Sequence, residues 1–198
     1  TEGTSETYYT VQNVVSKVRS RKLNTSYACA FHPWVQVQTN TGTNSGKLYV
    51  PPSVAAVGAF ARSEAQSALW FAPAGFTRGG LNPLGGAGGP RVTAVRDVLS
   101  SKDRDKLYDL NINPIASFPG EGIVVFGQKT LQSTKSALDR INVRRLLIFL
   151  KYEISKIARN LLFEPNVDAT WGKFKNQADG LLSNVKTNFG ITEYLVVL

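Results

Sequence analysis

Methionine is missing from these 198 residues, and cysteine and histidine occur once each, as Cys29 and His32. A lone cysteine excludes an internal disulfide, and two Cys/His residues fall short of the three or four ligands a zinc site takes. A hydrolytic triad would have to use His32, which sits in a strand-like pattern ahead of Pro33. No Gly-x-Ser-x-Gly elbow is present to hold out a nucleophile. Apolar runs are short: Leu146 to Leu150 is far below the ~18 residues that span a bilayer. The start, Thr1-Glu-Gly-Thr-Ser-Glu-Thr7, has no basic-then-apolar pattern of a secretory signal. From these gaps the expectation is no enzyme, no metal, no cofactor and no membrane insertion, in a processed or excised piece of a longer chain.

What is present describes a folded domain. Hydrophobic residues make up 42% and charged residues 19%, a balance that supports a packed core. A net charge of +9 and a pI near 9.8 point to an acidic partner, without choosing between nucleic acid, a membrane surface and an acidic protein.

The chain reads as one domain, 1–198, in three stretches. In 1–21, Tyr8, Val11, Val14, Val15 and Val18 recur at helical spacing, with basic residues at the C-terminal end where the helix dipole favours them. The stretch 22–135 holds hairpins and small helices. Tyr27 to Phe31 and Trp34 to Val37 alternate as strands, with Cys29 as a small core residue, 39–46 is polar enough for a loop, and Leu48 to Val50 returns. Ser53 is placed to cap a small-sided helix from Val54 to Arg62. The seven glycines of 75–91 indicate a flexible loop. Ser100 and Asp103 fit a capping box for a short helix, and Ile112 to Phe118 pairs with Ile123 to Phe126 across Pro119-Gly-Glu-Gly122.

The stretch 136–198 reads as two helices and a final strand. Ser136 and Asp139 suggest a capping box for a helix from 137 to about 162, roughly 39 Å long at 1.5 Å per residue. Val143, Leu147, Leu150, Ile154, Ile157 and Leu161 form its apolar stripe. Pro165 stops it. Val167, Trp171, Phe174, Ala178, Leu181, Leu182 and Val185 share one face of the next helix, and Ile191 to Leu198 reads as a buried strand. The class is α/β or α+β: a mixed sheet with hairpins against two long C-terminal helices.

Chemistry finds little purchase. Gly85-Gly-Ala-Gly-Gly89 has no Gly-Lys-Ser/Thr after it, so a surface loop outweighs phosphate binding, and Gly120-Glu-Gly122 is a turn. Asp103 and Asp105 alternate with Lys102, Arg104 and Lys106 as on a solvated helix. The long helix stands out instead. Arg140, Arg144, Arg145, Lys151, Lys156 and Arg159 are offset only by Asp139 and Glu153. Such a face is solvated or meets an acidic partner. Nucleic acid is the alternative, weakly supported by the flanking Phe149 and Tyr152.

Several segments resemble, in order, the inner domain of contractile tail sheath proteins of phages, R-type pyocins and, more distantly, type VI secretion systems. They are Tyr27-Ala-Cys-Ala-Phe-His-Pro-Trp-Val35, Val50-Pro-Pro-Ser-Val-Ala-Ala-Val-Gly-Ala-Phe-Ala-Arg62, Trp70-Phe-Ala-Pro-Ala-Gly75, the run from Pro114 to Leu131, Ser136 to Leu147 and Leu162-Phe-Glu-Pro-Asn166. The resemblance runs from about Lys22 to Leu198; residues 1–20, 39–46 and 75–91 depart from it. It implies a structural subunit that polymerises as stacked rings of six around an inner tail tube and contracts to drive the tube through a host envelope. The implied partners are other copies of the subunit, the tube protein, and baseplate and tail terminator proteins, with assembly in the bacterial cytoplasm into a virion tail. It also implies linking arms beyond both ends, so this piece alone is expected to be monomeric.

Overall fold

A backbone kept in register by hydrogen bonds needs no apolar side chains, and the first hairpin shows it. The computed structural model describes residues 10–41, 44–81 and 92–197. In it β2 (Val35–Thr41) and β3 (Asn44–Val50) pair antiparallel from Val35↔Val50 through to Thr41↔Asn44. The polar stretch expected to be a loop therefore continues the ladder. β4 (Val92–Val95), a strand not anticipated from its residues, adds to the other side of β2. A second sheet orders β1 (Ala30–His32), β5 (Ile112–Phe118) and β6 (Gly122–Val125). β1 runs parallel to β5, and the β5/β6 hairpin falls where the sequence placed it. The class is α+β. Residues Thr1–Arg144 and Arg145–Leu198 form two compact units, the division falling inside a helix.

In the first unit, β5 is buried from Ile112 through Ala116, so apolar groups stand on both of its faces. One face joins Ile115, Ile123, Val125, Val35, Val37, Val92, Ala55, Ala59 and Leu81 in a core that links both sheets to α2 (Pro52–Gln66). The alanines explain the close approach of that helix. Its start differs from the expectation: Pro52 is at the first helical position, where its missing N–H costs nothing, and Ser53 lies inside the helix rather than capping it. The other face carries Ile112, which with Leu99 and Leu107 supports Val11, Val14 and Val18 of α1 (Val11–Arg21). Leu107 sits on α4 (Ser101–Asp109), whose capping box is formed in full: Asp103 N–H donates to Ser100 Oγ, and the Ser100 N–H to the Asp103 carboxylate. Tyr27 is 72% exposed and lies outside β1, so the half-buried strand expected there is shorter. Cys29 is half-buried, and burial raises its thiol pKa.

The glycine-rich stretch begins in order. α3 (Gly75–Arg78) is one helical turn, and Gly79 and Leu81 exchange backbone hydrogen bonds with β6 at 2.7–2.8 Å. A Cβ at Gly79 would come within 2.7 Å of the Ala74 and Gly75 backbone, so only glycine fits. The rest of that stretch, 82–91, lies outside the described residues.

The expected 137–162 helix is broken at its start. Ser136 caps a single 3-10 turn, Ala137–Asp139, through Leu138 N–H, not through a capping box with Asp139. Arg140 is then extended and bridges Lys129, with Ile141 N–H bonded to Gln128 O at 2.9 Å. That bridge pulls the backbone out of helical geometry. α5 (Ile141–Arg159) therefore has 19 residues, about 28 Å at 1.5 Å per residue. It starts in the first unit and continues in the second.

Within the second unit Leu146 and Leu150 are buried, 6% and 8% exposed, whereas Leu147 is 41% exposed. Of the expected stripe Leu150 is buried, Val143, Ile154, Ile157 and Leu161 are half-buried, and Leu147 is the exposed member, its inward place taken by Leu146. The continuous apolar run 146–150 leaves the inward residue open between Leu146 and Leu147, and burial decides for Leu146. α6 (Asp168–Thr187) buries Ala178, Leu182 and Val185, while Trp171 is 44% exposed. Beyond it, 191–197 pairs with no strand, and Leu195 and Val197 are exposed, against the expected buried strand.

Candidate functional site

The basic residues of the 140–159 segment do not share one environment. Arg140 precedes the helix: its Nε lies 3.2 Å from Asp139 Oδ1, and its guanidinium bonds the Tyr108 hydroxyl. Lys129 Nζ sits 3.3 Å from the Tyr108 ring centre. Arg140, then Lys129, hold the Tyr108 phenol below its usual pKa, since both favour the phenolate. Arg144 is half-buried, donates to Ser26 Oγ and lies 4.1 Å over the Tyr27 ring. Both arginines thus help hold the first unit together.

Further along, Arg145 is half-buried. Lys156 Nζ pairs with Glu153 Oε1 at 2.8 Å and lies 4.4 Å from the Tyr152 ring centre. Its hydrogen bond to the Glu153 carboxylate raises the Lys156 pKa. Lys151 and Arg159 are exposed, Arg159 in the last turn where a cation suits the helix dipole. Between them on the same side lie Ile148 and Tyr152, 49% and 60% exposed. This part of α5 therefore presents a mixed cationic and apolar surface.

Sequence reasoning picked out the six basic residues but not their partners. Ser26 is 118 positions from Arg144, and no local pattern encodes a contact at that range. Asn113 was missed for the same reason. Among the described residues no group of three or more His, Cys, Asp or Glu could hold a metal, and no helix is long and apolar enough to cross a membrane.

The described residues thus form an α+β scaffold with exposed basic residues along α5. No protein-family model matches the chain. It is 38% identical over 154 residues to the tail sheath protein of Vibrio phage KVP40, covering 78% of this chain and 22% of that protein. With the tail sheath protein of Enterobacteria phage T4 it shares 34% over 156 residues, again 78% and 22%. The sheath of the anti-feeding prophage in its contracted state superposes with a TM-score of 0.67 at 27% identity, over 85% of this chain and 42% of that one. The sheath complex of an extracellular contractile injection system, PVC, gives 0.74 at 21% identity, over 93% and 47%, a likeness of fold. These matches place the chain among the contractile tail sheath proteins. It spans less than a quarter of the length of the two phage relatives.

Proposed function

We propose that the chain is part of a sheath subunit of a contractile phage tail, non-enzymatic, working by polymerisation and collective rearrangement. Its kinship with phage tail sheath proteins carries this reading. In it, copies stack as rings of six around an inner tube, the extended sheath is metastable, and a baseplate signal lets it shorten and drive the tube through the host envelope. The partners are further copies, the tube, the baseplate and the tail terminator, with assembly in the bacterial cytoplasm. Such a machine needs only a small free-energy bias per copy, because interfaces switch between discrete arrangements and the bias is multiplied along the lattice.

Lys151 and Arg159, with Arg145 and Lys156 beside them, are the residues through which α5 meets acidic surface on the tube or an adjacent copy. Arg140 and Arg144 contribute by fixing the start of the helix. Charges at the rim of an interface set register and encounter rate more than affinity.

Immunogold labelling of lysates from producing cells, with antibody raised against this chain, tests the reading. Decoration along the whole length of striated tubes is the expected result. Gold confined to free protein or nucleoid, with tubes bare, would refute it.

A further inference from the structure

Beneath α1 the first unit leaves a cavity of about 400 Å³. Its interior is apolar and aromatic, with Val14 and Val18 on the helix side and Phe31 and Trp34 on the strand side. α1 has no buried residue, although its valines rest on the core made by Leu99, Leu107 and Ile112. The apolar face of this helix is therefore only partly satisfied within the chain. Lys17 and Arg21, one helical turn apart and both exposed, also line the cavity.

His32 forms part of the wall of the cavity. It is 4% exposed, and its Nε2 has no hydrogen-bond partner. That atom is itself out of solvent reach, and the Asp97 carboxylate acts on the ring, so it belongs to the wall of the cavity and not to its contents.

We propose that this cavity receives an apolar side chain, aromatic or leucine-like, carried between carboxylates on a segment of a partner polypeptide. The side chain fills the space between Val14, Val18 and Trp34, and the carboxylates face Lys17 and Arg21. A polypeptide fits better than a free small molecule. Small-molecule sites enclose most of their ligand, whereas this cavity is walled on one side by a helix that is itself exposed. The chain's net charge of +9 draws acidic segments generally, and the cavity gives that attraction an address. The proposal goes beyond the sheath reading and does not depend on it, because binding is measured on the chain alone.

The test is a titration of the isotopically labelled chain with the capped peptide Asp-Glu-Leu-Phe-Glu-Asp, followed by amide chemical shifts. Saturable shifts confined to residues 14–21 and 30–34 are expected. Replacing the peptide's Leu-Phe by Ser-Ser should weaken binding at least about tenfold, and so should replacing its acids by amides. Lys17→Gln with Arg21→Gln in the protein should weaken it about fivefold or more; both positions are exposed, and an unchanged circular dichroism melt confirms the fold. No saturable shift at millimolar peptide, shifts outside these residues, or indifference to the peptide changes would overturn the proposal. So would 3-phenylpropionate binding as tightly as the peptide, which would make this a small-molecule site.

Discussion

Asn113 and Lys129 bind each other as two strands of a sheet would, but with one side chain in place of one strand. Asn113 Nδ2 donates to Lys129 O at 2.8 Å, and Lys129 N–H donates to Asn113 Oδ1 at 2.6 Å. The same Nδ2 donates to Ala30 O at 3.0 Å, so one buried amide ties β5 to β1 and to the segment before α5.

Removing that amide should be costly. Asn113→Ala takes this partner from two part-buried carbonyls and one N–H, and a fully buried group so stranded costs about 1–3 kcal/mol, a part-buried one less. A loss of roughly 2–5 kcal/mol in urea unfolding is expected. Gly127→Ala should destabilise the same locus, because its Cβ would lie 2.9 Å from Asn113 Oδ1 and 3.1 Å from the Asn113 Cα.

Adjacent leucines of α5 should behave differently. Leu146→Ala removes a buried side chain and should cost about 2–5 kcal/mol. Leu147→Ala, at a 41% exposed position, should cost less than about 1 kcal/mol. Equal losses would show that the buried arc had been placed on the wrong side of the helix.

Acid should weaken the fold through His32. Burial lowers its pKa, only partly opposed by the nearby carboxylate of Asp97. The unfolded chain then binds a proton more readily than the folded one, so stability falls as pH drops below about 6.5, the ordinary imidazole value. His32→Asn should flatten the pH dependence of the unfolding midpoint between pH 7 and 5. An unchanged slope would assign the effect to other groups.

The basic segment should divide into two kinds of residue. Reversing Lys151 and Arg159 to Glu should leave the melting temperature within a few degrees of the parent while impairing sheath assembly. Arg144→Glu should lower the melting temperature, because it removes the contacts with Ser26 and Tyr27. Normal tubes from the Lys151/Arg159 variant would mean those two charges are merely solvated.

Local signals were legible where one segment determined its own shape. The capping box at Ser100, the helical spacing of Val11, Val14 and Val18, and the glycine turn between β5 and β6 all depend on neighbours in sequence. Reading failed where a distant strand decided the outcome. Arg140 is extended because Lys129 bridges it, and 39–41 and 44–46 are strand because they pair with one another. The basic residues of α5 were visible as charges, but which of them face outward is set by Ser26, Tyr27 and Tyr108, far off in the chain.

The parallel pairing of β1 with β5 also imposes an order in time. The β5/β6 hairpin closes over a short turn, whereas the Asn113 to Ala30 bond joins residues 83 positions apart. Closing so long a loop costs entropy before any contact repays it, and such pairings form late. Until β1 arrives, the edge of β5 stands bare with a buried-type sequence, Ile112 to Ala116, open to any strand nearby. A newly made chain is therefore most vulnerable to aggregation in the interval before residues 30–32 dock, and a chaperone or a fast-folding neighbour would act there.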